Sequence, residues 1–381
     1  MGSVTEFDPV NGGGNSPHQS SSHSFVSELP LHPKAREFLL DAFDRGWASL
    51  AKIHGPSRQS ANLLNEAREI FATHLGLQRQ SIHFIAETPL AFHLGISGFF
   101  TQSGAKAGSH SGAVLLPKTA RSMAYAVAEA GTHQLLPVDG NGYFHLAHTH
   151  RTNPNNLLVW QAVNAETGLL GIDPGPFAGE IFVDAVNSSA AIPEWESARW
   201  GAAIWDSRAW SGPAGLSIFA LSRPENWRNP LPHNDTKPTS GNFSVPLAIA
   251  SAIALDAYRS GYESHRIQLV EMNKQVRTFI HENFPGSTVA ASAETTAPHL
   301  LTFTLPGVES QWLVNELDRL GFAVDTGSAC MSMNMQPSHV LAAMGLPTTG
   351  NVRLRLTPDH SPSDVQALLV AIKQLALPFA D

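Results

Sequence analysis

The sequence predicts an α/β protein: a large, mostly parallel sheet covered by helices on both faces, followed by a smaller α+β lobe. Two patterns carry that expectation. Between residues 82 and 221 short apolar runs alternate with helical stretches, the order that sets strands side by side with crossover helices on the faces. After about residue 287 the pattern changes, and Leu301, Phe303 and Leu305 alternate with Thr302 and Thr304 as in a half-exposed antiparallel strand. With 381 residues, 43% hydrophobic and 15% charged, the chain is long enough to bury a full core.

The elements follow in order. Residues 1–27 are rich in Gly, Ser and His, bury too little apolar surface to offset their ordering entropy, and are expected to form a disordered tail. Pro33 opens a helix expected over 33–53, with Phe38, Leu39, Ala42 and Phe43 on one face. Ser57 is expected to cap a second helix, whose stripe of Leu63, Leu64, Ala67, Ile70, Phe71 and Leu75 is closed by Gly76. Strands are expected at 82–86, 113–116, 134–138, 157–161, 180–184, 202–205 and 216–221, with helices near 89–99 and 118–130. Residues 222–243, rich in Pro, Asn and Thr, read as a long loop. Helices at 244–259 and 263–283 follow, the second long enough to bridge two lobes. A helix at 309–320, a strand at 351–356 and a helix at 361–376 complete the smaller lobe. The expected division is a large domain over 28–260 and a small one over 261–381.

The net charge of -8, with no cluster of Lys and Arg, gives no footprint for nucleic acid as a partner. No apolar run reaches the roughly 18 residues of a membrane span, and no signal peptide opens the chain, so a cytoplasmic location without a membrane partner is expected. Cys330 is the single cysteine, which excludes an intramolecular disulfide and suits a reducing compartment. His145, His148 and His150 have a spacing that could reach a metal, but no fourth ligand is evident and they read as a polar edge.

Cys330 ends the small-residue loop Gly327-Ser328-Ala329-Cys330, where small neighbours permit exposure and a following helix favours the thiolate. Met331, Met333 and Met335 flank it with a soft apolar surface. This loop, then the run from Pro337 to Leu346, then Val352-Arg353-Leu354, resembles in order and spacing the C-terminal signature of the NifS/IscS-type cysteine desulfurases, in the class V aminotransferase family. Val183-Asp184-Ala185-Val186-Asn187-Ser188 is similar to that family's Val-Asp-Ala-Ala-Gln-Ser, and the region around His54 and Arg58 resembles its N-terminal motif. The resemblance spans roughly residues 28–378. It implies the fold of the pyridoxal phosphate (PLP)-dependent transferases (fold type I), a homodimer, PLP as cofactor, and a sulfur donor or acceptor protein as partner. By the same resemblance Cys330 would form a persulfide, and Arg353 would hold a substrate carboxylate by a bidentate pair. Asp184 would face the pyridinium nitrogen, with Asn187 as a shortened form of the family's glutamine.

The cofactor half of the resemblance departs from the family. The stretch from Asp206 to Gly215 has the form of Ser-x-His-Lys-x-x-Gly-Pro-x-Gly, with Ala209 at the Schiff-base lysine and Asp206 and Arg208 at the serine and histidine. Glu87-Thr88-Pro89 stands at the phosphate cradle, Arg121 at the histidine that stacks on the ring, and Asn242 at the threonine offered by the partner subunit. In Asn164-Ala165-Glu166-Thr167-Gly168 the second asparagine of Asn-Asn-Glu-x-Gly is missing. An unpaired carboxylate about 4 Å from a phosphate is unfavourable by several kcal/mol at an effective dielectric near ~20. That cost is expected at both Glu87 and Asp206, with Arg121 and Arg208 offsetting part of it. The combined expectation is a sulfur-transfer protein with Cys330 as persulfide carrier and no conventional PLP Schiff-base catalysis. The alternatives are a non-catalytic scaffold or regulator, and a PLP-dependent desulfurase or aminotransferase with an atypical cofactor mode.

Overall fold

The computed structural model describes residues 23–100, 112–188, 199–232, 238, 243–327 and 337–377, the side chains of Arg45 and Phe100 excepted. Cys330, Met331, Met333, Met335 and Asn242 lie outside the described residues.

Seven strands form one sheet: β1 (Ile82–Ile85), β2 (Val114–Pro117), β3 (His133–Leu136), β4 (Leu157–Gln161), β5 (Glu180–Asp184), β6 (Ala202–Asp206) and β7 (Ser217–Leu221). Their order is β1-β7-β6-β5-β4-β2-β3. Strands β2 to β6 are mutually parallel, and β7 runs against both β6 and β1. The short turn between β6 and β7 leaves no room for a crossover, so these two must pair antiparallel. Helices α1 (Pro33–Arg45), α2 (Gly55–Leu75), α3 (Thr88–Phe100), α4 (Ser122–Ala128), α5 (His148–Thr152) and α6 (Val245–Ser260) accompany the sheet. Alternate strand residues face opposite cores. Leu158, Trp160, Val183 and Trp205 pack with α1, α2 and α6, while Val159, Phe182, Ile204 and Phe219 pack with α3 and α4. A Cβ at Gly95 would lie 2.0 Å from the Phe182 ring, so glycine there lets α3 lie directly on the sheet.

Two helix starts and stops differ from expectation. The first helix ends at Arg45 rather than 53, because Gly46 takes a φ of 67° that no helix continues through. The cap of α2 is His54, whose Nδ1 accepts from the Ser57 amide at 3.3 Å. Ser57 instead donates its hydroxyl to the Ser49 carbonyl at 2.8 Å. Gly76 closes α2 in the left-handed conformation, as its position implied.

Helix α7 (Tyr262–Asn283) leads to a second sheet of β8 (Thr288–Val289), β9 (Leu300–Thr304) and β10 (Asn351–Arg355), in the antiparallel order β10-β9-β8. Helices α8 (Ser310–Arg319), α9 (His339–Ala343) and α10 (Pro362–Ala376) complete this part. Its core joins Leu269 and Val276 of α7 to Phe303, Leu354 and Leu368. Strand β9 is not half-exposed. Thr302 and Thr304 are buried, because the opposite face of the strand sits on the loop after β4, where Thr302 donates to the Glu166 carbonyl at 2.5 Å.

The tail expected to run to residue 27 is corrected at its last residues. Phe25 is fully buried in the second core and stacks on His360 with ring centroids 4.2 Å apart. Its amide donates to Ala323 and its carbonyl accepts from Arg355, both at 2.8 Å. Ser27 donates to Asp325 through its amide at 3.0 Å and its hydroxyl at 2.7 Å. Residues 23–27 thus strap onto the second sheet. Among the described residues no helix is long and apolar enough to cross a membrane.

Candidate active site

Strands β4, β5 and β6 are parallel, so their carboxyl ends open on one edge of the large sheet, where α/β folds place their ligand crevices. There a cavity of about 400 Å³ lies between that edge and β10, with Arg121, Glu166, Asn187, Arg208, Arg353 and Arg355 on its wall.

The chain end of β5 brings in Asp184. It is buried, and its Oδ2 accepts from Arg121 Nε at 3.2 Å and from Gln161 Nε2 at 3.5 Å. Its Oδ1 accepts from the Val186 amide, which fixes the carboxylate at the strand end. Arg121 arrives from the loop after β2, at the start of α4.

The end of β6 brings in Asp206, which caps the turn Ser207–Trp210 by accepting from the Arg208 amide at 2.9 Å. The same carboxylate accepts from Arg208 Nε at 3.0 Å, Arg208 Nη2 at 2.8 Å and the Thr88 hydroxyl at 3.0 Å. The Ser217 hydroxyl lies 2.9 Å from Thr88. Burial pushes the Asp206 carboxyl up, and the Arg208 guanidinium outweighs it and holds it below the usual carboxylate range. Glu87, by contrast, is exposed and absent from the cavity wall, so the second negative charge expected there does not face the site. It is Thr88, one residue on, that turns inward.

Ala209 is buried on the cavity wall, and its carbonyl accepts from Arg355 Nη2 at 3.2 Å. Two residues on, Ser211 holds a φ of 58°, a left-handed conformation that a non-glycine residue adopts only when its surroundings impose it.

Strand β10 carries Arg353 and Arg355 two residues apart and therefore on one face. Arg353 Nη2 donates to Asp325 Oδ2 at 3.1 Å. The arginine expected to take a substrate carboxylate thus holds a carboxylate of its own chain, which Ser27 also grips. Arg355 is more deeply buried, and burial pulls its pKa down against the favourable influence of Tyr258 and Asp206.

Asn187 lines the cavity and accepts through its backbone carbonyl from His299 Nε2–H at 2.9 Å. Burial and the nearby Arg355 charge push the His299 pKa down to about 3, so the ring is neutral. Asn164 organises the next turn: its Oδ1 accepts from the Glu166 and Thr167 amides at 3.0 Å, and its Nδ2 donates to the Thr119 carbonyl at 3.1 Å. Glu166 is buried with Oε1 unpartnered among the described residues. Burial pushes its carboxyl up, partly countered by Ser338, Arg353 and His339. A Cβ at Gly327 would lie 2.0 Å from that oxygen, so any larger residue there would displace the Glu166 carboxylate.

Arg355, Glu166, Thr88 and His299 were not singled out as site residues from sequence. For Arg355 the signal was present: a second arginine two positions from Arg353 on a strand shares its face.

The architecture is fold type I of the PLP-dependent transferases. A solved structure described as a NifS-like protein superimposes with a TM-score of 0.82 at 18% identity, over 93% of this chain and 99% of that one. The apo cysteine desulfurase of Thermococcus onnurineus NA1 gives 0.78 at 15% identity, over 95% and 96% of the two chains. No protein-family model matches the chain. By sequence it is 25% identical over 371 residues to an IscS-like cysteine desulfurase of Mycobacterium tuberculosis, covering 90% of this chain and 93% of that protein. It is 20% identical over 363 residues to the cysteine desulfurase IscS of Clostridium botulinum strain Hall, covering 90% and 91%. Its homologues and structural neighbours are thus NifS/IscS-like cysteine desulfurases.

Proposed function

We propose that this chain is a cysteine desulfurase-like sulfur-transfer protein in which Cys330 carries a persulfide and no PLP Schiff base forms. The observation that carries the reading is the internal pairing of the cofactor pocket. The two carboxylates at the positions that would meet the ring nitrogen and the phosphate, Asp184 and Asp206, are bonded to Arg121 and Arg208 of the same chain. At position 209 the wall offers a methyl group, and no lysine is among the described residues that line the cavity. The donors that would cradle a phosphate, Thr88 and Arg208, are taken by Asp206. These residues do not fit PLP.

Sulfur transfer without PLP is redox-neutral. The Cys330 thiolate attacks the outer sulfur of a donor protein's persulfide, the donor's S–S bond breaks, and the donor leaves as a thiolate. An acceptor thiolate then repeats the exchange on the Cys330 persulfide. As in the family it resembles, the chain would work as a homodimer, in a reducing compartment.

The test pairs two measurements on the full chain. Added PLP is expected to leave no visible band of a lysine-bound cofactor and no sulfide release from cysteine; a band with turnover would overturn the PLP-free mechanism. After incubation with a persulfide donor, cyanide-labile sulfur is expected on the native protein and not on Cys330→Ser. Native protein that takes up no sulfur would make the chain a scaffold or regulator instead.

A further inference from the structure

Helix α7 presents two faces. Leu269, Met272, Val276 and Ile280 are buried in the second core. Tyr262, Arg266, Val270 and Lys274 recur every four residues and so form another stripe along the helix. That stripe lines a cavity of about 740 Å³, nearly twice the volume of the one at the sheet edge, which is about 400 Å³. The rest of the wall comes from the loop after β4, through Val163 and Leu170, and from residues 293–299, through Ala297 and Pro298. Tyr258 of α6 adds a second ring to the wall, its centroid 6.2 Å from that of Tyr262. The two cavities share no lining residue among the described residues.

Hydrogen bonds hold this wall in one frame. Asn273 donates through Nδ2 to the Pro298 and Leu300 carbonyls at 3.1 and 3.3 Å, and its Oδ1 accepts from Arg277 Nε at 2.7 Å. Arg277 also donates to the Ala291 carbonyl at 2.8 Å and to Thr296 Oγ1 at 3.2 Å. The Leu170 amide donates to the Thr295 carbonyl at 2.8 Å, and the Ala297 amide to the Gly168 carbonyl at 2.9 Å. The buried polar side chains of the wall are therefore engaged. Ser188 donates to the Ala185 carbonyl at 2.8 Å, Thr296 to the Ser292 carbonyl, and the neutral His299 ring to the Asn187 carbonyl. The charged residues on the wall are all exposed: Arg266, Lys274 and Glu294. Glu294 lies in the field of Arg277, whereas neither Arg266 nor Lys274 makes an ion pair among the described residues. The mouth is thus positive and the interior apolar.

We propose that this cavity binds an amphipathic organic anion, with Arg266 and Lys274 at its charged head and Tyr258, Val163, Leu170 and Pro298 around its apolar body. The volume falls inside the range of about 300–1,000 Å³ of ligand sites, and an apolar wall with a few charges that fix orientation is their usual composition. A small inorganic anion would gain nothing from the apolar wall, and an uncharged body nothing from the two cations. The inference depends on neither PLP nor Cys330, so its failure would leave the sulfur-transfer reading where it stands.

The experiment is a fluorescence titration of the full chain with anilinonaphthalene sulfonate, with uncharged N-phenylnaphthylamine as control and laurate as competitor. One saturable site per chain is expected for the sulfonate. Displacement by laurate assigns an acyl body to the ligand, and sulfonate binding that laurate does not disturb assigns a ring-containing one. Arg266→Ala and Lys274→Ala should each weaken the sulfonate about twofold to fivefold, the range for exposed ion pairs, and leave the uncharged control unchanged. Added salt should separate the two probes in the same way. Val270→Trp, at an exposed position on the wall, should fill the space and weaken both probes. Because Arg266, Val270 and Lys274 are exposed, all three variants are expected to fold. Absence of saturable binding to the native chain overturns the proposal, as would follow if another part of the chain or a second copy filled the cavity. Sulfonate binding that neither charge variant alters is general surface adsorption and overturns it equally.

Discussion

Replacing Asp206 by Asn separates two properties of this pocket that should move in opposite directions. The native carboxylate accepts from Thr88 at 3.0 Å and from Arg208 at 2.9, 3.0 and 2.8 Å, and it caps the turn that carries Ala209. Asparagine keeps the shape and the cap but cannot pair with the guanidinium. The Arg208 side chain is 45% exposed, so solvent screens the pair and the loss should be limited. We expect about 1–3 kcal/mol, read as a lower midpoint in urea. The native stabilisation is fully present above the ordinary carboxylate value of 3.8 and disappears as pH falls through the lower folded value, so the variant should also lack that acid-labile part. Anion binding moves the other way. A carboxylate about 4 Å from one phosphate charge costs about 4 kcal/mol at an effective dielectric of about 20. Relief of half of that, about 2 kcal/mol, is roughly thirtyfold in affinity. Calorimetric titration with inorganic phosphate and with PLP should therefore show tighter binding to Asp206→Asn than to the native chain. Equal affinities would mean that Asp206 does not stand where the phosphate would sit.

Three further outcomes follow from single side chains. The His299 pKa is lowered from 6.5 to about 3, so the unfolded chain takes up a proton as pH falls through 6.5 and the folded chain does not. Between pH 7 and 5 the native protein should lose about 2 kcal/mol that His299→Gln retains, measured by denaturant unfolding at both pH values; equal losses would show that the ring is not held neutral. The Glu166 carboxyl is raised above 4.5, so its ionised form strains the fold at neutral pH and ceases to do so below that value. Glu166→Gln should accordingly raise the Tm at pH 8, with the gap closing by pH 4. Phe25→Ala removes a fully buried ring from the second core and should cost about 3–5 kcal/mol in a urea melt, where an N-terminal tail would cost nothing.

The large sheet was legible because β4, β5 and β6 are buried on both faces and read as unbroken apolar runs between polar breaks. The end of α1 was not, because Trp47 and Leu50 continue the apolar period while packing on the core from a loop. The alternation in β9 pointed to a wet face, yet Thr302 is buried against a loop more than a hundred residues away in sequence, where its hydroxyl finds a backbone carbonyl. Within the site, motif positions led to Asp184, Arg121, Asp206, Arg208 and Arg353, and the fold brings these to one cleft. Glu87 points out to solvent, since the register of one residue decides which of Glu87 and Thr88 turns inward. Which charges pair could not be read from spacing. Among the described residues Arg353 is matched by Asp325 while Arg355 meets the Ala209 carbonyl, and that difference exists only once β10 faces the end of β6.

The strap at residues 23–27 bears on how the chain is made. Ser27 and its partner Asp325 are 298 positions apart. At about 5–20 residues per second, synthesis leaves that segment waiting roughly 15–60 seconds before its partners emerge. The large sheet, whose strands lie between 82 and 221, is complete long before then. The second sheet cannot close its core over Phe25 until β10 and α10 have been made, so its assembly is a late step of high contact order. Until that step Phe25 stays exposed, and Arg353 and Asp325, which Ser27 helps to position, cannot reach their final arrangement.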